Sequence, residues 1–218
     1  MLRLAAFDLD GTVADTLADL AAAVNHALAI RGLPTYPVDD YRHFVGNGLD
    51  NLMLQVLKDN YTPETAEGMK ADFTAYYADH CLDYTRAYPG IAELLSELSD
   101  AGVMTAVISN KPHAFVPAIL AKLYPDHRFT LAWGQQPDCP RKPAPDALVR
   151  AMERCGVDRG EVLYIGDSNV DVSFAHSAGV KVCGVSWGFR GAGELKEAGA
   201  DRIVGTAEEL RDYLYEQT

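Results

Sequence analysis

The chain lacks the features that mark several broad classes of protein. No apolar run approaches the roughly 18 residues that a membrane-spanning helix needs. The apolar start is interrupted by Asp8 and Asp10 too early for a signal peptide. There is no C-x-x-C pair: Cys81, Cys139, Cys155 and Cys183 lie far apart, which fits free thiols in a reducing compartment and argues against a disulfide framework or a zinc site. The six histidines form no H-x-H or H-x-x-x-H pair. Basic residues are outnumbered 19 to 31, for a formal net charge of −12, and no basic stripe of the kind nucleic acid requires is present. Internal repeats and low-complexity tails are also missing. The expectation is a cytoplasmic protein that binds neither nucleic acid nor a membrane, and that assembles as a monomer or a homodimer. An anionic ligand then requires a locally positive site, supplied by a metal, lysines or backbone amides.

What the chain does have is a core. Of its 218 residues 48% are hydrophobic, enough for one sizeable domain or a domain with an insertion. The run Leu2 to Phe7 reads as a buried first strand. Thr16 to Ile30 reads as an amphipathic helix, with Leu17, Leu20, Val24 and Leu28 at spacings of three and four, Thr16 as its N-cap, and Gly32 and Pro34 beyond its end. Helices are expected at 39–44, 48–58 and 63–80, with no strand between 16 and 82. After Tyr88-Pro89-Gly90 the pattern alternates. Strands are expected at 103–109, 129–133, 162–165 and 180–185, with helices at 91–100, after Pro112, at 145–155 and at 169–178. A last helix starts at Thr206, with Glu209 completing a capping box. Alternating strands and helices predict an α/β fold, a Rossmann-like parallel sheet with helices on both faces. The helical stretch reads as an inserted all-helical block. The expected division is 1–15 with 82–218 as the core and 16–81 as the insertion.

In such sheets ligands bind beyond the carboxyl ends of the strands. The polar residues at those ends are Asp8 and Asp10 after the first strand, then Ser109, Asn110 and Lys111 after the second. Lys142 follows the third, and Asp167 and Asp171 follow the fourth. Asp8 and Asp10, two residues apart, face one side of a strand and repel each other, which calls for a cation or a proton between them. Each residue type has a task in phosphoryl transfer. A carboxylate can form an acyl phosphate. Mg²⁺, held by oxygen ligands such as Asp8, Asp167 and a backbone carbonyl, can screen the incoming phosphate. A lysine and a hydroxyl can clamp phosphoryl oxygens, and Asp10 can protonate the leaving oxygen and later activate water.

The D-x-D-G-T motif at 8–12, the serine after the second strand, the later lysine and the G-D-x-x-x-D segment at 166–171 together resemble the haloacid dehalogenase superfamily, in its order and spacing. The resemblance implies Asp8 as nucleophile and Asp10 as acid/base. It implies Mg²⁺ held by Asp8, the Asp10 carbonyl and Asp167, with Asp171 in support. Ser109, Asn110 and Lys142 would be phosphate-binding, and the insertion would be a helical cap of the first type. Asp10 points to phosphoester chemistry, and the chain is similar to phosphoglycolate-phosphatase-like enzymes through Ser109–Pro112, Val45–Gly48 and Trp187–Arg190. The implied activity is a Mg²⁺-dependent phosphatase acting on a small phosphorylated metabolite through an aspartyl-phosphate. The alternatives are a phosphomutase of the β-phosphoglucomutase type, a pyrophosphatase or nucleotidase, and a non-catalytic phospho-aspartate module. Read singly, Lys111 is as well explained as a solvated lysine, and Arg42, Asn47 and Arg190 as surface charge or loop geometry. Trp187, His113 and His176 read as structural.

Overall fold

Four consecutive buried residues, Leu4–Phe7, form the central strand β1. The structure, a computed structural model that describes residues 1–217, places β1 between two parallel neighbours. Phe7 stands opposite Val107 on one side and Ile165 on the other. The sheet has six parallel strands in the order β5-β4-β1-β6-β7-β8. The others are β4 (Met104–Pro112), β5 (Leu131–Gln135), β6 (Val162–Gly166), β7 (Lys181–Val185) and β8 (Arg202–Val204). Because side chains alternate along a strand, β1 feeds two cores. Ala5 and Phe7 pack with Val107 and Ile165 on one face, and Leu4 and Ala6 pack with Ala106, Ile108 and Tyr164 on the other. Helices α5 (Ile91–Asp100), α6 (Val116–Leu123), α7 (Asp146–Cys155), α8 (Asn169–Ser177), α9 (Gly191–Ala198) and α10 (Ala207–Gln217) connect and cover the strands. The chain winds outward from β1 through β4 and then returns to the other flank at β6. The carboxyl end of β1 therefore lies at the switch point where such sheets open a crevice.

The polypeptide leaves this sheet through the two-residue strand β2 (Ala14–Asp15) and returns through β3 (Arg86–Ala87), which pair antiparallel. Between them run α1 (Leu17–Ala29), α2 (Tyr41–Phe44), α3 (Leu49–Leu57) and α4 (Pro63–His80). The buried face of α4 is Ala66, Met69, Phe73 and Tyr77, a helical spacing that packs against Leu17, Leu20, Val24 and Leu28 of α1. Asp19, buried in the first turn of α1, accepts hydrogen bonds from the Tyr84 and Thr85 amides and so ties the two ends of the segment together.

The expected elements are present with shifted ends. β1 begins at Leu4 rather than Leu2, and β5 lies two residues later than the 129–133 expectation. β4 continues to Pro112, so Asn110 and Lys111 are strand residues, beyond the expected end at Ser109. The short strands β2, β3 and β8 and the helix α9 are additional; two- and three-residue strands are too short to carry a readable period. Thr16 does not cap α1, since its hydroxyl donates to Asp10 instead. At α10, Thr206 accepts from the Glu209 amide, while the Glu209 carboxylate takes the Gly205 amide, one residue before the expected partner. Among the described residues no helix is long and apolar enough to cross a membrane.

Candidate active site

The carboxyl end of β1 delivers Asp8 against β6, where its amide donates to the Ile165 carbonyl at 2.9 Å. Gly11 then turns the chain with φ +80°, and a Cβ there would overlap the Asp167 carboxylate. Gly188 is under the same constraint, since a Cβ would meet both Asp167 and the Gly11 carbonyl. Asp167 sits in the slot between these two glycines, at the end of β6, and accepts the Phe189 amide at 2.6 Å. One carboxylate oxygen from each of Asp8, Asp167 and Asp171 lies within 4.8 Å of the others, and all three residues are buried.

Asp171 belongs to the first turn of α8, where it forms a capping box with Ser168. Its Oδ2 accepts from the Ser168 hydroxyl (2.7 Å) and amide (3.1 Å). Its Oδ1 accepts from the Lys142 ammonium (2.8 Å) and the Tyr164 hydroxyl (3.2 Å). With both oxygens engaged, Asp171 acts first as the anchor of Lys142. That lysine, 3% exposed, also reaches Asp8 Oδ1 at 3.0 Å and Tyr164 Oη at 3.0 Å. Burial opposes its charge, but the Asp171 and Asp8 carboxylates outweigh burial and hold it well above the ordinary lysine range.

The carboxylate of Asp10 stands apart from the three clustered acids. Its Oδ1 accepts from the Thr16 hydroxyl at 2.6 Å and from Lys111 Nζ at 3.0 Å. Lys111 is therefore no solvated lysine. It is 5% exposed, and the Asp10 carboxylate, with Tyr77 beside it, raises it above its ordinary value against the pull of burial. The two neighbouring acids of the D-x-D motif thus each receive a lysine, Asp8 that of residue 142 and Asp10 that of residue 111. Four carboxylates still face only two ammonium groups. Two of the clustered acids show the strain: burial pushes Asp8 up to about 7, and burial with the charges of Asp171 and Asp8 raises Asp167 well above the usual carboxylate range. An all-oxygen donor set with an unmatched double negative charge fits a divalent cation of the hard type.

Ser109, on the same side of β4 as Lys111, accepts the Lys111 amide at 3.3 Å. Asn110 ties two loops together through its side chain. It takes the Lys142 amide at 2.8 Å and donates to the Lys142 carbonyl and to the Gly46 carbonyl of the α2–α3 loop, both at 3.1 Å. Arg190 also reaches that loop, donating to the carbonyl of Val45 at 3.0 Å. It is a tether between sheet and helices. Arg42, an exposed partner of Asp39, lies outside the cavity, as does Asn47. Trp187 donates its indole N–H to the Thr12 carbonyl at 3.1 Å, bracing the turn after β1.

Asp8, Asp10, Ser109, Asn110 and Lys111 form the floor of a partly open cavity of about 50 Å³, roofed by Leu20, Leu49, Leu52, Phe73 and Tyr77 of the helical segment. A wider surface cleft of about 580 Å³ lies beyond Asn110 and Lys142 and contains none of the four acids. Four contributors escape a reading of the sequence: Lys111, Thr16, Tyr164 and Tyr77. Only Lys111 carried a signal, its place two residues after Ser109 on a strand.

Comparison with known proteins places the fold and the family. The profile of the family described as "Haloacid dehalogenase-like hydrolase" matches residues 5–185. A phosphoglycolate phosphatase of Mannheimia succiniciproducens is 35% identical over 194 residues, covering 86% of this chain and 87% of the relative. One from Vibrio parahaemolyticus is 33% identical, covering 96% and 94%. Among solved structures, a predicted phosphoglycolate phosphatase from Haemophilus somnus superposes with a TM-score of 0.91 at 30% identity, covering 98% of each chain. CbbY from Rhodobacter sphaeroides, solved in complex with phosphate, superposes with a TM-score of 0.79 at 25% identity over 96% of each.

Proposed function

The chain belongs to the haloacid dehalogenase-like hydrolase family, and from that membership and the site geometry we propose that it is a Mg²⁺-dependent phosphatase of small phosphomonoesters, phosphoglycolate first among them. The observation that carries the reading is the gathering of Asp8, Asp167 and Asp171 within 4.8 Å, beside a buried lysine, at the end of the central strand. Residues 16–81 act as a cap that closes over this floor, and the protein works in the cytoplasm.

In this scheme Asp8, Asp167 and the backbone carbonyl of Asp10 would hold Mg²⁺, with Asp171 in support. When bound, the ion screens the phosphoryl charge from the acids and stabilises the charge that develops in transfer. Lys142, kept protonated by its two carboxylate neighbours, and the Ser109 hydroxyl orient the phosphoryl oxygens. A carboxylate oxygen of Asp8 attacks phosphorus, the P–O bond to the alcohol breaks, and an acyl phosphate forms on Asp8. Asp10, positioned by Thr16 and Lys111, gives a proton to the departing alkoxide oxygen. The same carboxylate then takes a proton from the water that attacks the acyl phosphate, releasing inorganic phosphate and restoring Asp8. The apolar roof of Leu20, Leu49, Leu52 and Phe73 limits the water around the first step.

The test is phosphate release from phosphoglycolate with Mg²⁺, with a chelator, and with Asp8→Asn. The reading requires turnover only in the first case. Turnover by Asp8→Asn at the unaltered rate rejects the covalent route.

A further inference from the structure

Lys142 is held at both ends. Its ammonium group meets Asp8, Asp171 and Tyr164, which the sheet and α8 carry. Its main chain is held by a single side chain. Asn110 Oδ1 accepts the Lys142 amide at 2.8 Å, and Asn110 Nδ2 donates to the Lys142 carbonyl at 3.1 Å. Among the described residues no other group hydrogen-bonds that main chain. The same Nδ2 gives its second hydrogen to the Gly46 carbonyl, also at 3.1 Å. A carboxamide supplies one acceptor and two donors in one plane, the set these three bonds require; a carboxylate has no donor. Asn110 is buried, so a donor left unpaired beneath the seated loop would be costly. The helical segment meets the same stretch of chain once more. Arg141, the residue before Lys142, lies 3.6 Å from Asp50 at the start of α3, and a Cβ on Gly48 would stand 3.4 Å from its guanidinium. These contacts involve none of Asp8, Asp10, Asp167 and Asp171.

We infer that Asn110 is a positioning residue that couples the seating of the 45–48 loop to the placement of Lys142, so that the lysine is held in its working position only while the helical segment lies closed on the sheet. The inference rests on the phosphatase reading and adds to it a link between closure and chemistry. With the loop seated, the Gly46 carbonyl fixes the plane of the carboxamide, and that plane fixes the Lys142 main chain. With the loop lifted, Nδ2 loses one of its two acceptors, the side chain turns toward water, and the Lys142 amide and carbonyl lose their partner. The ammonium keeps its carboxylates, but its position is no longer set from both ends. A misplacement of about 1 Å in a positioning group lowers a rate by up to about a hundredfold. Substrate entering the open site therefore meets a loosely held lysine, and transfer begins once the loop is seated.

The experiment perturbs the loop from its other side. Arg190→Ala releases the Val45 carbonyl, and Arg190 has no hydrogen bond to Asn110 or Lys142. Amide hydrogen exchange is followed by NMR at Lys142 and, as an internal reference, at Asp8, whose amide is bonded to the Ile165 carbonyl. Exchange at Lys142 should quicken about threefold or more in Arg190→Ala while Asp8 stays unchanged. An unchanged rate at Lys142, or equal acceleration at both amides, overturns the inference. The second readout is kcat and KM on phosphoglycolate with Mg²⁺ for wild type, Arg190→Ala, Asn110→Ala and the double variant. Each single change should lower kcat about three- to tenfold. The double variant should lie within about twofold of Asn110→Ala, because without Asn110 the loop has nothing through which to act on the lysine. Losses that multiply overturn the inference, as do losses confined to KM. If Asn110→Ala does not fold, the exchange measurement decides, since it needs only wild type and Arg190→Ala. If the wild type releases no phosphate, the phosphatase reading has failed, and exchange at Lys142 still decides whether the loop holds the lysine.

Discussion

Replacing Lys142 with methionine tests the electrostatic logic of the site directly. Its Nζ lies 2.8 Å from Asp171 and 3.0 Å from Asp8, and its side chain is 2% exposed. Methionine fills similar volume but leaves two buried carboxylates without their ammonium group. Breaking a buried pair on one side costs about 3–5 kcal/mol. With a urea m-value of about 2.5 kcal/mol/M, the loss lowers the unfolding midpoint by about 1.5 M at pH 8 without metal. The penalty should depend on pH in a definite direction. Burial has already raised Asp8 to about 7, and Lys142 is the neighbour that pulls it back down. In the variant Asp8 therefore rises further. A carboxyl raised by folding favours the folded state while it is protonated, and that advantage is lost as pH climbs through its folded value. The gap between variant and wild type should thus be widest at pH 8 and narrow by half or more at pH 5.5. Urea denaturation of both proteins at the two pH values, with a chelator present, measures it. A gap below about 1 kcal/mol at pH 8, or one of equal size at both pH values, refutes the reasoning.

Further outcomes follow from the same geometry. Mg²⁺ competes with protons for Asp8 and Asp167, so the thermal shift it produces should be larger at pH 8 than at pH 5.5, about 1.4 kcal/mol at tenfold excess over Kd. An equal shift in Asp167→Asn would place the ion elsewhere. Gly188→Ala drives a methyl group into Asp167 and the Gly11 carbonyl; scanning calorimetry should show a loss of about 1–3 kcal/mol and disappearance of the Mg²⁺-dependent shift. Lys111→Met leaves Asp10 with Thr16 alone, and should reduce kcat at least tenfold while leaving the Mg²⁺-dependent shift intact; a lost shift would tie Lys111 to the metal acids instead. Arg190→Ala removes the tether on the Val45 carbonyl, and hydrogen exchange should speed up in residues 43–48 with little change in the sheet.

The D-x-D-G-T and G-D-x-x-x-D segments are legible because their meaning is local. An apolar run followed by acids and a glycine marks a strand end at a turn, whatever surrounds it. The alternation of strands and helices likewise predicts the parallel sheet, and with it the edge where Asp8, Ser109, Lys142 and Asp167 meet. Lys111 was open to a bland reading because a lysine in a string of letters does not reveal its burial; only the extension of β4 to Pro112 places it beside Asp10. Thr16 has the right type and position for an N-cap, but a nearby carboxylate is the stronger acceptor for its hydroxyl. Tyr77 is one of many apolar positions on α4, and nothing along the helix says which wall it faces.

From sequence alone came the fold class, the family and the candidate acids at the strand ends, since these depend on patterns that neighbouring residues complete among themselves. Tertiary structure alone gave each acid of the D-x-D motif its own lysine and set the Asp10 carboxylate apart from the cluster of Asp8, Asp167 and Asp171. The reason is physical: charge compensation and burial are properties of groups brought together from distant parts of the chain, and they exist only once the packing has brought them there.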